Sequence, residues 1–497
     1  MSGLSQSREV NGHPGHPRAA SLLVGALALL SVAAGGKTEP PLVITHVTLV
    51  DVIQGELKRD RTLVIREGRI EELRRARSRE SFPKEATVLD ATGKYLIPGL
   101  WDMHAHLRDP DREMALLIAN GVLGVRDMGA VPERIYAWRA QVAQGERLGP
   151  RIIACGPIID GPEPSNPPIS VSVSDATSGR AAVRALLLSG SQCVKVHDRV
   201  PRDAYLAIAA EADRTGLPLV GHVPLAVTTL EATNAGQRSL EHQVGLRGCS
   251  TAEAEVMREE AAGSTVAEAM RSGDFSLIPE AIARRGNRIL EGLDPQRCHA
   301  LYRTFARNGT YLDPTLVTLY ALTFVDDLAR REDPRLQYIP ESERQYWKPE
   351  KGMLTRYRTP AYIAYRKREY EATLQHIPMA RAAGVSFLAG TDMWLPYVYP
   401  GFSTHDELRL FVEAGFTPIE ALRTATINPA KFLGLSEQTG SVAERKAADL
   451  VLLDADPLQD ISHTAAISAV VVGGRLLRRT DLDRLLSGAE AAARSAP

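Results

Sequence analysis

Two histidines separated by one residue, His104 and His106, stand at the end of an apolar run that starts at Leu96. Side chains alternate between the two faces of a strand, so both rings are expected to point the same way. Neutral imidazole nitrogens at this spacing can bind a single tetrahedral or five-coordinate metal ion. The pair alone is equally compatible with an ordinary strand that carries two histidines, so residues elsewhere must decide.

Later apolar runs also carry, at or near their C-terminal ends, polar residues that could take part in a metal site. These residues are Lys195 in the fourth run, His222 at the end of the fifth, His242 at the end of the sixth and Asp392 just after the eighth. Each one alone could be a satisfied core histidine, a solvated lysine or a capping aspartate. Barrel enzymes gather their chemistry at the C-terminal ends of the strands. Six such residues at that end of successive strands therefore favour a metal site.

Eight apolar runs alternate with helical patterns between residues 99 and 439, which predicts a parallel sheet built from βα units. The runs are Leu100–His106, Val122–Asp127, Arg151–Gly156, Cys193–His197, Pro218–His222, Arg238–His242, Tyr311–Leu316 and Val385–Ala389. Eight units make a closed (β/α)8 TIM barrel the simplest architecture, and the segment exceeds the ~250 residues typical of one. The excess lies in residues 243–310, which are helical and charged, and in the tyrosine-rich residues 317–384. Connections of this length are expected to form lids or pocket walls.

Short alternating bursts of apolar residues at both ends of the chain predict a smaller β domain. Residues 42–98 and 440–478 both have this texture, with glycine-containing turns between the bursts. An antiparallel unit needs enough strands to bury one face, so the two segments are expected to complete one β-sandwich. The barrel is then an insertion in that sandwich, and residues 479–497 form a C-terminal tail.

The first 36 residues have the pattern of a targeting segment. A polar stretch is followed by an apolar one from residue 19 to 34, which ends in small residues. The apolar core is short for a membrane span, which favours a signal peptide and an exported, periplasmic or secreted protein. An uncleaved N-terminal anchor is the alternative, and only that alternative implies a stable membrane association.

The charge and cysteine content of the chain limit which binding partners and which compartment are expected. The chain has 59 Lys+Arg and 60 Asp+Glu, so its charge gives no reason to expect a nucleic-acid partner. Cys155 and Cys193 lie in apolar runs and are expected to be core residues. Cys249 and Cys298 lie in a polar helical region and could pair in an oxidising compartment.

Longer motifs surround these residues, and on them the sequence resembles the amidohydrolase superfamily. Within it, the sequence is similar to the imidazolonepropionase-like and metal-dependent Xaa-Pro dipeptidase-like branch. The motifs are Pro98-Gly99-Leu100-Trp101-Asp102-Met103-His104-Ala105-His106, Gly124-Val125-Arg126-Asp127-Met128-Gly129, Glu241-His242, Gly390-Thr391-Asp392, residues 420–430 and residues 447–453. One departure is residues 443–446, where members usually have a Pro-Gly turn, and it lies outside the chemistry.

The resemblance implies a binuclear centre, with two zinc or other divalent ions per chain. His104, His106 and Asp392 would hold one ion, and His222 and His242 the other. Lys195, carboxylated by carbon dioxide, would bridge the two together with a hydroxide, which forms because the cations lower the pKa of the bridging water. Asp392 would accept the proton of the hydroxide and deliver it to the leaving amine, which makes Asp392 and Lys195 the catalytic residues.

Three residues are weaker candidates for contacts with a small-molecule substrate. Arg126 could bind a carboxylate through its planar fork, although an internal ion pair that holds a turn is an equal alternative. His197 shares the face of Lys195, and Trp394 could line an apolar pocket. Self-association into a homo-oligomer stays open.

The favoured function is hydrolysis of an amide-type C–N bond in an N-acyl amino acid, a dipeptide or an aryl amide. One alternative is a mononuclear cyclic-amide hydrolase or deaminase, in which Lys195 is an ordinary buried residue. A noncatalytic binding member is the third, disfavoured because every ligand position is retained.

Overall fold

The structure of the protein is a computed structural model. It describes residues 40–77, 80–242, 244–262, 265–348, 351 and 357–496. The predicted leader at residues 1–36 lies outside the described residues. None of the described helices has the length and apolar character needed to cross a membrane.

Seventeen strands are found in the described residues. They are β1 (Leu42–Asp51), β2 (Glu56–Arg66), β3 (Arg69–Arg75), β4 (Thr87–Asp90), β5 (Tyr95–Pro98), β6 (Leu100–Ala105), β7 (Val122–Asp127), β8 (Arg151–Ala154), β9 (Ile158–Asp160), β10 (Ser170–Ser172), β11 (Val194–Val196), β12 (Leu219–Gly221), β13 (Ser239–Glu241), β14 (Tyr311–Asp313), β15 (Leu450–Leu453), β16 (Ile467–Val472) and β17 (Arg475–Arg478).

Strands from the two ends of the chain form one eight-stranded sheet of order β17-β16-β15-β5-β1-β2-β3, with β4 also paired to β1. The two ends meet where β5 pairs antiparallel with β15, Ile97 opposite Val451. Register shifts near Val47 let β1 pair with β4 through its first half and with β5 through its second.

This terminal sheet encloses a core of its own side chains, among them Ile44, Leu63, Leu96, Leu450 and Val471. The two ends therefore complete one β unit, as the sequence predicts. The described strands, however, are hydrogen-bonded into a single folded sheet, whereas a sandwich in the strict sense has two separate sheets.

The strands from β6 to β14 are all parallel to their neighbours. They form a three-stranded sheet, β6-β7-β8, and a six-stranded sheet, β10-β9-β11-β12-β13-β14. Backbone hydrogen bonds cross one gap between the sheets, where Gln192 N donates to Ala154 O. The parallel sheets show that the α/β character of residues 99–439 was correctly predicted.

The eighth predicted run, residues 385–389, spans the other gap. Leu388 N donates to Leu312 O on one side, and Met103 N donates to Ala389 O on the other. The run is not a full strand, and only Phe387 forms an isolated bridge to Leu312. Its hydrogen bonding is divided, because Ala389 N donates to Thr424 O outside the sheets.

Seventeen α-helices accompany these strands in the described residues. They are α1 (Pro110–Ala119), α2 (Pro132–Ala143), α3 (Ala176–Leu188), α4 (Arg202–Thr215), α5 (Thr229–Asn234), α6 (Leu246–Cys249), α7 (Glu253–Ala262), α8 (Thr265–Ser272), α9 (Leu277–Glu291), α10 (Pro295–Asn308), α11 (Leu316–Thr323), α12 (Glu341–Trp347), α13 (Pro360–Ala382), α14 (Phe402–Glu413), α15 (Pro418–Thr424), α16 (Ile427–Phe432) and α17 (Arg479–Ser495). The predicted C-terminal tail is thus the helix α17, which packs against α1 and buries Leu482.

Two disulfides tie the chain together. Cys249 is bonded to Cys298, the pairing that the sequence left open. Cys155 and Cys193 are fully buried, as expected of core residues, and they are also bonded to each other. The second pairing was not predicted, because the proximity of the two runs that carry these cysteines depends on the sheet.

Candidate metal centre and active site

The six predicted metal-binding residues lie together at the C-terminal ends of the parallel strands. Asp392 is at the centre of the group. Its Oδ1 is 3.6 Å from His104 Nε2 and 3.4 Å from His106 Nε2. Its Oδ2 is 3.8 Å from His242 Nδ1. The His242 ring centroid is 4.5 Å from that of His104 and 4.9 Å from that of His222.

Three of these histidines use Nδ1 in a hydrogen bond to a protein oxygen. The pairs are His104 with Glu241 Oε2 at 3.1 Å, His106 with Gly129 O at 2.9 Å, and His222 with Asp198 Oδ1 at 2.8 Å. A carbonyl or an ionised carboxylate only accepts, so Nδ1 carries the proton in each ring. Each Nε2 then keeps its lone pair, which is the tautomer that binds a metal ion.

The donor set fits a divalent cation. One ligand atom each from His104, His106 and Asp392 lie within 4.8 Å of one another. His104 is fully buried, yet its Nε2 has no hydrogen-bond partner among the residues that the structure describes. A buried polar atom without a partner is costly, and a metal ion at this position would satisfy it. Imidazole and carboxylate donors together suit zinc.

Electrostatics keep most of these rings neutral. Burial lowers the pKa of His222 to about 4 and that of His242 to about 3. The pKa of His104 is also lowered, first by burial and then by Lys195. Burial opposes the charge on His106 as well, but the Asp392 carboxylate raises its pKa. Neutral rings at physiological pH have the lone pairs that metal binding needs.

Lys195 lies in the middle of β11 and is 1% exposed. Burial lowers the pKa of its amine, although the nearby carboxylates of Glu241 and Asp392 partly oppose this. The Asp198 carboxylate, whose charge also acts on Lys195, accepts a hydrogen bond from His222 Nδ1. Among the described residues, no ion pair of Lys195 is found. Gly221 allows the close packing, since a Cβ there would lie 2.9 Å from Lys195 Cδ.

Left-handed backbone conformations are concentrated at this site. His242, Thr315, Asp392 and Trp394 have φ values of 62°, 46°, 55° and 121°. Residues other than glycine rarely adopt positive φ, and such strain is typically retained at functional sites. Thr315 also contacts the site directly, because its hydroxyl is 2.8 Å from His242 Nδ1.

Arg126 lies beneath the site in a buried network and is not one of the residues that line the cavity. It donates to Met103 O, Ser239 Oγ, Glu241 and Asp313. Its donors are therefore occupied by protein oxygens, and the contact with substrate stays a prediction. The alternative, an internal ion pair, is what the structure shows. Glu241 in turn accepts from His104, so the network orients that ring.

We expect Glu241→Gln to weaken metal binding about 10- to 100-fold, because outer partners fix the tautomer and orientation of ligating histidines. Calorimetric titration of the metal-free variant with zinc measures this directly. Thr228→Ala, which removes a helix cap away from the site, is a suitable control for a general loss of stability. An unchanged zinc affinity in Glu241→Gln would contradict the positioning role.

The His197 ring packs against that of His222, with centroids 4.1 Å apart and the ring planes tilted by 34°. Its Nδ1 is 3.4 Å from Asp160 Oδ2 and 3.9 Å from Asp198 Oδ2. Ligand atoms of His197, Asp198 and His222 also lie within 4.8 Å of one another. His197 was a predicted candidate, whereas the contact of its neighbour Asp198 with His222 was not predicted.

A cavity of about 980 Å³ opens above the group. His197, His222, His242, Asp392 and Trp394 line it. Residues from both long insertions contribute walls, including Ile289 from 243–310 and Trp347 from 317–384. The expectation that these connections form pocket walls is confirmed.

Arg108 also lines the cavity and was missed. Its guanidinium carbon lies 3.2 Å from the ring centroid of Trp394, a cation–π arrangement. Within the described part of the chain, no carboxylate forms an ion pair with this guanidinium. The sequence held a signal, because Arg108 lies two residues beyond His106, the same spacing that relates His106 to His104.

Comparison with known proteins gives evidence about the family of the chain that is independent of the site geometry. The model of the amidohydrolase family matches residues 95–477. A bottromycin amidohydrolase structure is similar over 91% of this chain and 90% of its own, at 26% identity and a TM-score of 0.71. A putative prolidase from Bifidobacterium longum is similar over 91% of this chain and 100% of its own, at 24% identity and a TM-score of 0.65.

Sequence matches to curated proteins are shorter. Ochratoxinase from Aspergillus niger is 37% identical over 101 residues, which cover 19% of this chain. The alignment spans only 20% of that relative's own length. The match therefore concerns one part of the chain.

Proposed function

The chain belongs to the amidohydrolase family, and on that premise we propose that it is a metal-dependent hydrolase of amide-type C–N bonds in N-acyl amino acids, dipeptides or aryl amides. The observation that carries this proposal is the convergence of the Nε2 atoms of His104 and His106 on the Asp392 carboxylate, below a cavity that His222 and His242 also line. The names of the bottromycin amidohydrolase, the prolidase and ochratoxinase agree with amide chemistry.

The proposal includes a closed (β/α)8 barrel and a small β-sandwich. The hydrogen bonds across both gaps between the parallel sheets support closure. A ring of strands would direct the C-terminal ends of β6, β11, β12 and β13 into one cavity, which is where barrel enzymes place their active sites.

In this proposal His104, His106 and Asp392 hold one zinc ion, and His222 and His242 hold the second. Bound there, the two cations would lower the pKa of a water molecule and polarise the scissile carbonyl. The chain's own contribution is to fix the ligands: Glu241 and Asp198 orient two of the rings. Burial of the group excludes bulk water, which strengthens every charge interaction.

Lys195 is proposed to be carboxylated on Nζ and to bridge the ions. Four neutral histidines and Asp392 provide a single negative charge for two dications, and an ammonium group would worsen that imbalance. Burial favours the neutral amine. The Nζ lone pair can then attack carbon dioxide and lose a proton, which forms a carbamate with two oxygens and a negative charge.

Asp392 is proposed to carry the proton of the attacking water to the leaving nitrogen. Burial opposes its ionisation, but His242 and His106 lower its pKa, so it is an anion that can accept a proton at neutral pH. Its Oδ1 and Oδ2 face different histidines, which holds the carboxylate in position. When the leaving nitrogen receives this proton it departs as a neutral amine, which avoids an unstable amide anion.

Arg108 is proposed to bind an anionic group of the substrate, such as the carboxylate of an amino acid. We expect Arg108→Met to raise the KM of a carboxylate substrate about 10- to 100-fold, because a hydrogen bond to a charged group contributes about 1.5–3 kcal/mol. The methyl ester of the same substrate is the matched control and should be unaffected. Steady-state kinetics on both compounds measure the difference. An equal effect on acid and ester would exclude the contact.

Export is part of the proposal, by a cleaved signal peptide over roughly the first 34 residues. The two disulfides support it, since disulfides persist in oxidising compartments. Mass spectrometry of the mature protein from its native host should find a new N-terminus. An intact Met1 or Ser2 on a cytoplasmic protein would contradict export.

The function itself is tested by a substrate panel. Metal-reconstituted protein should hydrolyse members of a set of N-acyl amino acids and dipeptides, and a chelator should abolish that activity. Hydrolysis of cyclic amides or lactones alone, or no metal-dependent turnover, would contradict the proposal.

A further inference from the structure

We infer that the cavity contains a subsite for a long, flexible apolar acyl chain, so that N-acyl amino acids of medium to long fatty acids are the substrate class. The inference rests on the proposed function and specifies which part of the substrate the cavity selects. Its basis is a set of apolar side chains on the cavity wall that the described protein covers only in part.

Three large apolar side chains on the cavity wall are exposed. Leu225, Ile282 and Tyr346 are 38%, 37% and 70% exposed, and all three line the cavity. They come from separate parts of the chain: Leu225 follows β12, Ile282 lies on α9 and Tyr346 on α12. Exposed apolar groups that converge on a cavity indicate a surface that a ligand covers.

The wall continues with apolar side chains that are partly or fully buried. Leu246, Val256, Ile289 and Leu319 line the same cavity from α6, α7, α9 and α11. Two arginines on this wall lie beside carboxylates, since Arg285 lies 3.5 Å from Glu260 and Arg366 pairs with Glu369, although Glu260 Oε2 has no hydrogen-bond partner among the described residues. What remains for a ligand on this side is mainly apolar contact.

The wall is also closely packed. Gly286 on α9 lines the cavity, and a Cβ at this position would lie 2.1 Å from the Tyr365 ring of α13. The two insertions therefore meet at a glycine, which lets their helices approach closely. A wall held in this way can select by length, whereas a loose cover would adapt to any acyl group.

The topology separates the two ends of the substrate. Arg108 follows β6, whereas Leu225 and Ile282 follow β12 and β13, which belong to the other parallel sheet. The histidines come from strands of both sheets. With an amino-acid carboxylate at Arg108 and the amide at the metal ligands, the acyl chain extends toward Ile282.

The test measures hydrolysis and binding along one homologous series: N-acetyl, N-hexanoyl, N-octanoyl, N-dodecanoyl and N-hexadecanoyl derivatives of one amino acid. We expect kcat/KM to rise on the order of a hundredfold from acetyl to octanoyl, since each of the six added methylenes favours binding about twofold when it is about half buried. Isothermal calorimetry with the free fatty acids of the same lengths gives a readout that does not depend on turnover.

Two variants locate the subsite. Ile282→Trp fills the wall and should move the preferred length to shorter chains, whereas Ile282→Ser should reduce the gain per methylene. Leu188→Ser, at an 88% exposed leucine on α3 that does not line the cavity, is the matched control and should leave the series unchanged.

The outcomes separate the two proposals. Equal kcat/KM for acetyl and dodecanoyl substrates, unaltered by Ile282→Trp, would overturn the subsite and leave amide hydrolysis standing. Chain-length-dependent fatty-acid binding that Ile282→Trp shortens, without hydrolysis of any member, would support the subsite and overturn the proposed function. Loss of the length dependence in Leu188→Ser would also overturn the assignment to this wall.

Discussion

Lys195→Ala is expected to lose the second metal ion and to reduce kcat/KM by about a thousandfold or more, since two-metal stabilisation supplies several kcal/mol. The physical reason is the charge balance at the site. Without the carbamate, four neutral histidines and Asp392 cannot hold two dications closely. Metal analysis after dialysis, together with kinetics on the best substrate of the panel, measures both losses.

Chemical rescue separates a bridging role from a structural one. Acetate or propionate supplied with zinc should restore part of the metal content and part of the activity of Lys195→Ala, because the small acid can enter the space left by the side chain. Lys195→Met is the matched control: its side chain fills that space, so rescue should fail. Two retained metals and near-normal turnover in Lys195→Ala would show that the lysine does not bridge.

Asp392→Asn is expected to reduce kcat about 10²- to 10⁴-fold through loss of the proton acceptor, in addition to weaker metal binding. Asparagine is chosen because it tolerates the left-handed conformation of this residue, φ 55°, better than alanine does. The change therefore removes the charge with little change in backbone preference. Kinetics at saturating zinc isolate the proton-transfer component from the metal-binding component.

Asp60→Asn provides the control, since Asp60 has the same φ of 55° and lies in β2, where its carboxylate pairs with His46. This variant should keep full activity and metal content. If Asp392→Asn retained more than about a tenth of the wild-type kcat at saturating zinc, the assignment of Asp392 as the proton carrier would be wrong.

Most of the residues that the sequence identified share one property: they lie at or just beyond the end of an apolar run. His104, His222 and His242 could be found in this way because strand periodicity and the direction of parallel strands are local or topological facts. Where these residues meet follows from the fold alone. Their approximate placement was therefore accessible without coordinates.

The partners of those residues were not accessible. Glu241 is 137 residues from His104, and Asp198 is 24 residues from His222. Which carboxylate reaches which ring depends on strand register and side-chain rotamers, and neither is written in a local pattern. For the same reason the partners of Arg126 could not be predicted. An arginine at this position was compatible with a substrate contact or an internal ion pair, and the structure shows ion pairs with Glu241 and Asp313.

Element boundaries show the same limit. Residues 385–389 have the composition of a strand but share their hydrogen bonds between Leu312, Met103 and Thr424, so only an isolated bridge remains. The terminal β unit has the predicted strands, yet register shifts in β1 join them into one sheet. Strand boundaries and sheet membership depend on pairing between residues that are distant in the chain, and the periodicity of a local sequence contains no information about that pairing.

A stepwise metal titration tests the proposed binuclear amide-hydrolysing centre most directly. Metal-free protein would be titrated with zinc while bound metal and hydrolysis of the best N-acyl amino acid are measured on the same samples. If the centre is binuclear, we expect two bound ions per chain and activity that develops with the second equivalent of zinc. Full activity at one tightly bound ion per chain would contradict it and favour a mononuclear enzyme.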